Sequence, residues 1–107
     1  MTTWFRSFFE DEDVWQYFEE GDDGWARRQV DLRAEDASPL TAASLAEVLH
    51  LREHADLAAM QRYEHQFGVL AEAPLDGWRD DPRTEEITRA EFERIWAETR
   101  SALGGPA

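Results

Sequence analysis

The sequence predicts an α+β fold, a three- to four-stranded antiparallel meander packed with two helical regions. Three observations predict it. Aromatic runs separated by turns fill residues 3–33, helical periodicity marks a central segment at about 41–67, and a capping signal precedes a C-terminal helix at about 89–103. A chain of 107 residues is expected to form a single domain, 1–107.

The N-terminal zone predicts three strands. The runs "TWFRSFF", "VWQYFEE" and "WARRQVDLR" are separated by "EDED" and "GDDG", and Asp-Gly within the second turn is typical of a hairpin. On the third strand we expect Ala26, Val30 and Leu32 to face the core, and Trp25, Arg27, Gln29 and Asp31 to face outward.

Apolar side chains lie on both faces of the first predicted strand. Trp4 and Phe8 point to one side of the strand, whereas Phe5 and Phe9 point to the other. A half-exposed strand is expected to be polar on one face. Either helices cover both faces of the sheet, or one face is a binding surface.

The central segment predicts helix, with starts at Ser38-Pro39, Thr41 or Ser44. Its apolar residues from Leu45 to Leu70 fall within one arc of a helical wheel. Arg52 and Asp56 interrupt that stripe, so two alternatives stay open: one helix in which they pair, or two helices with Asp56 as an N-cap. Gly68 is expected to end the helix, and a short strand in "VLAEA" is expected to follow.

The C-terminal helix has the clearest boundaries. Thr88 with Glu91 forms a capping box, and Ile87 is placed as its hydrophobic staple. An apolar stripe follows, and Gly104-Gly105-Pro106 is expected to stop the helix. The stripe consists of Phe92, Ile95, Trp96 and Leu103.

Charge bears on the partners that the protein can have. There are 24 acidic and 11 basic residues, and the formal net charge is -13. This charge repels nucleic acid and anionic membranes, and it attracts basic proteins. The alternative is that the acidity serves only solubility. All the basic residues are arginine, and alanine is abundant, a composition typical of GC-rich genomes such as those of actinobacteria.

Several classes of protein are excluded by what the sequence lacks. There is no cysteine, so disulfides and thiolate chemistry are excluded. Neither a signal peptide nor a membrane-length apolar run is apparent, so we expect a cytoplasmic protein that does not bind membranes. No phosphate loop or nucleophile elbow is present, and we expect no cofactor.

Residues 50–54, "HLREH", match the H-x-x-E-H pattern of inverted zinc peptidases. On the wheel, His50 and His54 point away from the apolar stripe and towards solvent. His65 is eleven residues beyond His54, about 16 Å along a straight helix, which is too far for a shared ion. A metal site at His50 and His54 is therefore the less favoured interpretation, and three solvated histidines are the favoured one.

Two stretches resemble an uncharacterised family of small acidic bacterial domains. In "GDDGWARRQVDL" the matching residues are Trp25, Arg28 and Val30; in "LAEAPL" and "EEITRAEFERIW" they are Pro74, Ile87, Phe92 and Trp96. The resemblance implies an aromatic strand meander closed by a capped C-terminal helix. The helical middle segment departs from the family pattern. Some small acidic bacterial proteins of this kind are immunity proteins against secreted toxins, which is an analogy.

Two functions are open at this point. The favoured one is a small acidic protein-binding module, of the immunity or inhibitor type, that occludes a basic partner and is not an enzyme. Its expected binding residues are Trp15, Tyr17, Trp25, Arg27, Asp22 and Asp23. The alternative is that these residues belong to the core or to the interface of a homodimer. The alternative is a small enzyme or ligand-binding protein with a pocket between sheet and helices.

Overall fold

The structure, a computed structural model, describes residues 1–72, 74–75 and 77–104. Its elements are, in chain order, β1 (Thr3–Phe9), β2 (Val14–Glu20), β3 (Ala26–Arg33), β4 (Pro39–Ser44), α1 (Leu45–His54), α2 (Leu57–Phe67), a 3₁₀ turn (Trp78–Asp80), β5 (Thr84–Glu86) and α3 (Arg89–Ala102). The strands form one antiparallel sheet in the order β4-β3-β2-β1-β5. The α+β prediction is confirmed, with five strands where three to four were expected.

Strand β4 corrects the predicted start of the central helical segment. Residues 41–44 are strand, and the helix begins at Leu45. Ser44, one of the predicted starts, is the N-cap, and its hydroxyl accepts from the Glu47 backbone N–H. Ala42 and Ala43 are buried in the sheet. The helix propensity of alanine made this strand look helical, and tertiary burial overrode that propensity.

The central segment is two helices, the second of the two alternatives. Helix α1 ends at His54, and Asp56 caps α2 by accepting from the Ala59 backbone N–H at 2.9 Å. Arg52 forms its ion pair with Glu72 and not with Asp56. Gly68 ends α2, as predicted.

Gly68 is required at the end of α2 for two reasons. It has a φ of +87°, which side-chain-bearing residues rarely adopt, and a Cβ atom there would lie 2.4 Å from Thr41 Cγ2. The strand expected after Gly68 is absent over the described residues 69–72. Pro74 instead makes an isolated bridge with Trp25, and Ala73 lies outside the described residues.

Helix α3 matches its prediction. It spans Arg89–Ala102, and the Thr88 hydroxyl accepts from the Glu91 backbone N–H at 3.1 Å. Gly104 follows with a φ of 85°. Gly105 and Pro106 lie outside the described residues.

Both faces of the sheet are covered. Helix α3 packs on one face, where Tyr17 and Val30 meet Phe92 and Trp96. The cluster on the other face consists of Phe5, Phe18, Ala26, Ala43 and Leu70. The partly buried side chains packed against this second cluster include Leu45 of α1, Tyr63 of α2, Leu75 and Trp78.

A bulge in β3 corrects the predicted facing of that strand. Glu19 pairs with Arg28, but Glu20 pairs with Ala26, so Arg27 is an extra residue. Ala26 consequently joins the Phe5 cluster, on the face opposite Val30. Gln29, predicted to face outward, is buried, and its side-chain oxygen accepts from the Ala71 backbone N–H at 2.9 Å.

Candidate functional site

Two acidic turns meet at one end of the sheet. The β1–β2 turn carries four carboxylates in succession, and the β3–β4 turn carries two. The Ala34 backbone N–H donates to the Asp13 carbonyl at 2.9 Å, which joins the turns. The acidic end is defined as Glu10, Asp11, Glu12, Asp13, Glu35 and Asp36, all of which are exposed.

Little of the charge at the acidic end is compensated locally. Arg83 pairs with Glu10 at 3.2 Å and also with Asp81 at 3.4 Å. The ion pairs found among the described residues include no other member of the acidic end. Six carboxylates therefore project from two adjacent turns and create a negative potential there.

An aromatic groove lies beside the acidic end, on the face that α3 covers in part. The rings of Phe8 and Trp15 are 5.3 Å apart, and the Arg6 guanidinium lies 4.2 Å from the Trp15 ring centre. The groove has a volume of about 300 Å³ and is lined by Phe8, Trp15, Pro82, Arg83, Thr84 and Glu85. Phe9, the last residue of β1, is 40% exposed at the same end. Trp15, one of the predicted binding residues, thus lines a surface groove.

Tyr17, another predicted binding residue, is in the core. It is 6% exposed and belongs to the cluster around Val30 and Phe92. Its hydroxyl accepts from Arg6 at 3.3 Å. The expectation that Tyr17 is a surface anchor is corrected here, because helix α3 covers its side of the sheet.

The remaining predicted residues lie at the opposite end of the sheet from the acidic end. Asp22 pairs with the N-terminal amine, and Asp23 accepts from the Trp25 backbone N–H at 3.1 Å. Trp25 is 37% exposed, and Arg27 is exposed beside Gly21. Trp15 is near the start of β2, whereas these residues follow the end of that strand, so the predicted set does not form one site.

The histidines lie on the helix surface. His50 and His54 are both exposed, with ring centres 4.6 Å apart, and His65 is exposed on α2. Over residues 1–72, 74–75 and 77–104, no group of three or more acidic or histidine side chains is placed to hold a metal ion.

The sequence analysis missed a buried polar joint centred on Arg100. This side chain is 1% exposed on α3, and its Nε donates to the Ala42 carbonyl at 2.8 Å. Its other nitrogens bond both oxygens of Glu47 and, at 3.2 Å, the Tyr63 hydroxyl. The guanidinium lies between the Phe67 and Trp96 rings, at 3.9 and 4.5 Å. The joint therefore ties β4 to all three helices.

The ionisation of the joint follows from its hydrogen bonds. Burial raises the pKa of Glu47, but the bonds from Arg100 and Tyr63 outweigh burial, and that pKa is lowered. Burial and the bond to Glu47 raise the pKa of Tyr63 to about 12. One sequence signal points to the joint, since Arg100 is four residues after Trp96 and thus on the apolar stripe of α3.

A second arginine cluster lies between the sheet and α3. Arg28 pairs with Glu19 across the β2–β3 register, at 2.7 Å, and with Glu93 of α3. Trp4 also donates to Glu19, at 2.9 Å. Burial raises the pKa of Glu19, but the bonds from Arg28 and Trp4 outweigh it and lower that pKa. Arg28, which belongs to the family resemblance, is thus part of the packing of α3.

A second groove, of about 340 Å³, lies between α3 and the β3–β4 hairpin. Its lining includes Tyr17, Leu32 and Pro39 from the sheet, and Ile95 and Thr99 from the helix. Arg94 and Glu98, which pair with each other, also line it. Its position between the sheet and a helix is where a small enzyme or ligand-binding protein was expected to have its pocket.

Comparison of the chain with protein-family models, with curated proteins and with solved structures finds no match. The resemblance to small acidic bacterial domains therefore stays a prediction. Of the helices in the described part of the chain, none has the length and apolar character needed to cross a membrane.

Proposed function

We propose that the protein is a small acidic binding module that docks a basic partner protein at its acidic end, as an immunity or inhibitor protein does. The observation that carries this proposal is the pairing of six exposed carboxylates with the groove beside them, which Phe8 and Trp15 line. A cytoplasmic location and an actinobacterial source remain predictions.

Two physical effects support the proposal. The negative potential of the acidic end accelerates encounter with a cationic surface and disfavours acidic or nucleic-acid partners. Exposed parts of Phe9 and Trp15 then supply apolar contact area next to the charges, where aromatic side chains are effective anchors. The partner is inhibited by occlusion, since this mechanism requires no catalytic group.

Affinity capture from lysate of the source organism tests the proposal with two matched variants. The first carries Asp11→Asn, Glu12→Gln and Glu35→Gln at the acidic end. The second carries Glu53→Gln, Glu64→Gln and Glu72→Gln, which remove three exposed carboxylates from the region of α1 and α2. Each variant loses three of the 13 net negative charges.

We expect the basic protein that the wild type captures to be lost with the first variant and kept with the second. Its dissociation constant is then measured against salt concentration, and the salt dependence is expected to weaken only in the first variant. The proposal would be contradicted if both variants lost the captured protein equally, or if both still captured it. Analytical ultracentrifugation of the free protein tests the homodimer alternative.

The groove between α3 and the β3–β4 hairpin favours a second candidate, a small-ligand-binding protein. Its volume of about 340 Å³ lies at the lower end of the range of ligand pockets. A thermal-shift screen of small metabolites against the wild type and Ala102→Trp, which fills one end of the groove, tests it. A ligand that stabilises only the wild type would favour this candidate.

A further inference from the structure

The β5 edge of the sheet is open, in contrast with the β4 edge. Beyond β4 lie α2 and α3, and the Ala42 carbonyl and the Ser44 N–H are bonded by Arg100 and Tyr63. Within the part of the chain that the structure describes, strand β5 has β1 on one side and no strand on the other. An open edge presents unpaired backbone groups, to which another strand can be added.

The ladder with β1 identifies the backbone groups that point outward. The Phe8 N–H donates to the Arg83 carbonyl at 3.1 Å, and the Ile87 N–H donates to the Trp4 carbonyl at 2.9 Å. In an antiparallel ladder these bonded pairs alternate, so Arg6 and Glu85 form the bonded pair between them. Thr84 and Glu86 therefore direct their backbone groups away from β1.

One of these outward groups is already used. The Thr84 N–H donates to the Asp81 carbonyl at 3.1 Å, within the turn that precedes β5. The Glu86 N–H has no hydrogen-bond partner among residues 1–72, 74–75 and 77–104, and the Glu86 side chain is exposed. Glu86 is thus the position at which an added strand would find a free donor.

The two sides of the β5 edge have different chemistry. On the α3 side a groove of about 550 Å³ is lined by Glu85 and Glu91 and by Arg6. Glu86 is opposite Phe5 in the register and therefore directs its side chain to the other face. On the other side a groove of about 290 Å³ has a mixed lining, in which Phe5, Leu75 and Trp78 supply apolar surface. Side chains of a strand alternate between its two faces.

We propose that an extended basic segment of the partner protein adds to the sheet alongside β5. Its basic side chains would face the carboxylates on the α3 side, and its apolar side chains would face Trp78 and Leu75. This inference rests on the proposed function, because it specifies how the basic partner is held. Pairing of β5 with β5 of a second copy is disfavoured, since it would bring Glu85 and Glu86 of both copies together.

Two synthetic peptides of equal charge and composition serve as probes. One alternates, Lys-Val-Lys-Val-Lys-Val, and the other is blocked, Lys-Lys-Lys-Val-Val-Val; both have neutral ends. Binding to the wild type is measured by NMR titration at low salt. We expect the alternating peptide to bind at least about fivefold more tightly, because the alternating peptide alone satisfies both grooves while it bonds the backbone.

Two variants at Glu86 separate the backbone bond from the charge. Glu86→Gln removes the charge, whereas Glu86→Pro removes the charge and the outward N–H, which an edge strand tolerates. We expect Glu86→Pro to weaken the alternating peptide roughly fivefold more than Glu86→Gln does, the effect of one lost hydrogen bond. In the wild type, bound peptide is expected to slow hydrogen exchange of the Glu86 amide, a readout that needs no variant.

The outcomes distinguish this inference from the proposed function. Equal binding of the two peptides, equal effects of the two variants, or no slowing of Glu86 exchange would each overturn strand addition. Failure of both peptides to bind would overturn it as well. Because the proposed function is judged by the acidic-end variant and the captured partner, it can stand when strand addition fails.

Discussion

The two edges of the sheet are built in opposite ways. At the β4 edge, Arg100 is 1% exposed, bonds the strand backbone and bonds Glu47. At the β5 edge a three-residue strand carries exposed glutamates and a backbone donor that is free among the described residues. Groups at the β4 edge therefore contribute to the free energy of folding, whereas groups at the β5 edge are available for contact. Substitutions at each edge test this difference.

The largest loss of stability is expected from Arg100→Ala. Loss of this side chain leaves the Ala42 carbonyl without its bond and Glu47 without its ion pair, and it opens a cavity between Phe67 and Trp96. We expect the free energy of unfolding to fall by about 3–5 kcal/mol, because a large buried side chain leaves a cavity and a buried carbonyl loses its donor. Urea denaturation measures it. Arg94→Ala, an exposed position on the same helix, serves as control, with an expected loss below about 0.5 kcal/mol.

The second largest loss of stability is expected from Glu47→Gln, and this loss depends on pH. Because its pKa is lower in the folded protein than in the unfolded chain, Glu47 contributes stability above the unfolded value of about 4.3, and this contribution is lost as pH falls through the folded value. Glu47→Gln is expected to cost about 1–2 kcal/mol at pH 7, less than Arg100→Ala, because the Glu47 side chain is 41% exposed and solvent screens it.

The measurement is urea denaturation of the wild type and of Glu47→Gln at several pH values between 7 and 3. The difference in unfolding free energy should shrink towards the acid end of this range. A difference that is constant over the whole range would show that the carboxylate charge of Glu47 does not stabilise the joint.

A smaller effect of the opposite sign is expected at Asp31 in β3. Burial raises the pKa of Asp31, so its charged form weakens folding as pH rises through the folded pKa. The Gln29 amide donates to its side chain at 3.1 Å, and asparagine keeps an acceptor there. Asp31→Asn should therefore stabilise the protein by about 0.5–1 kcal/mol at pH 7, measured by urea denaturation. A destabilised variant would contradict this expectation.

The elements that depend on local chemistry were predictable from the sequence. Asp23-Gly24 indicated the β2–β3 hairpin, and Thr88 with Glu91 indicated the start of α3. Asp56 as the N-cap of a second helix was one of the two alternatives for the central segment. Each signal is a turn or cap whose geometry a few neighbouring residues determine.

The elements that depend on tertiary contacts were not predictable. Strand β4 contains alanines whose propensity favours helix, and β5 is three polar residues without apolar alternation. At the candidate site, composition indicated acidity, but only the meander brings Asp13 beside Ala34 and so unites the two turns. Trp25 and Trp15 likewise do not share a surface, because Trp15 pairs with Leu32, near the end of β3 that is farther from Trp25.

The smallest effect is expected when proline replaces the outward residue of the open edge. Glu86→Pro removes an N–H that has no partner among the described residues, so unfolding free energy should change by less than about 0.5 kcal/mol. Ser44→Pro introduces proline at the closed β4 edge, where the Ser44 N–H donates to the Tyr63 hydroxyl at 2.9 Å and the Ser44 hydroxyl caps α1. That variant should lose about 2–4 kcal/mol. Thermal and urea denaturation measure both, and equal losses at the two edges would contradict the contrast between them.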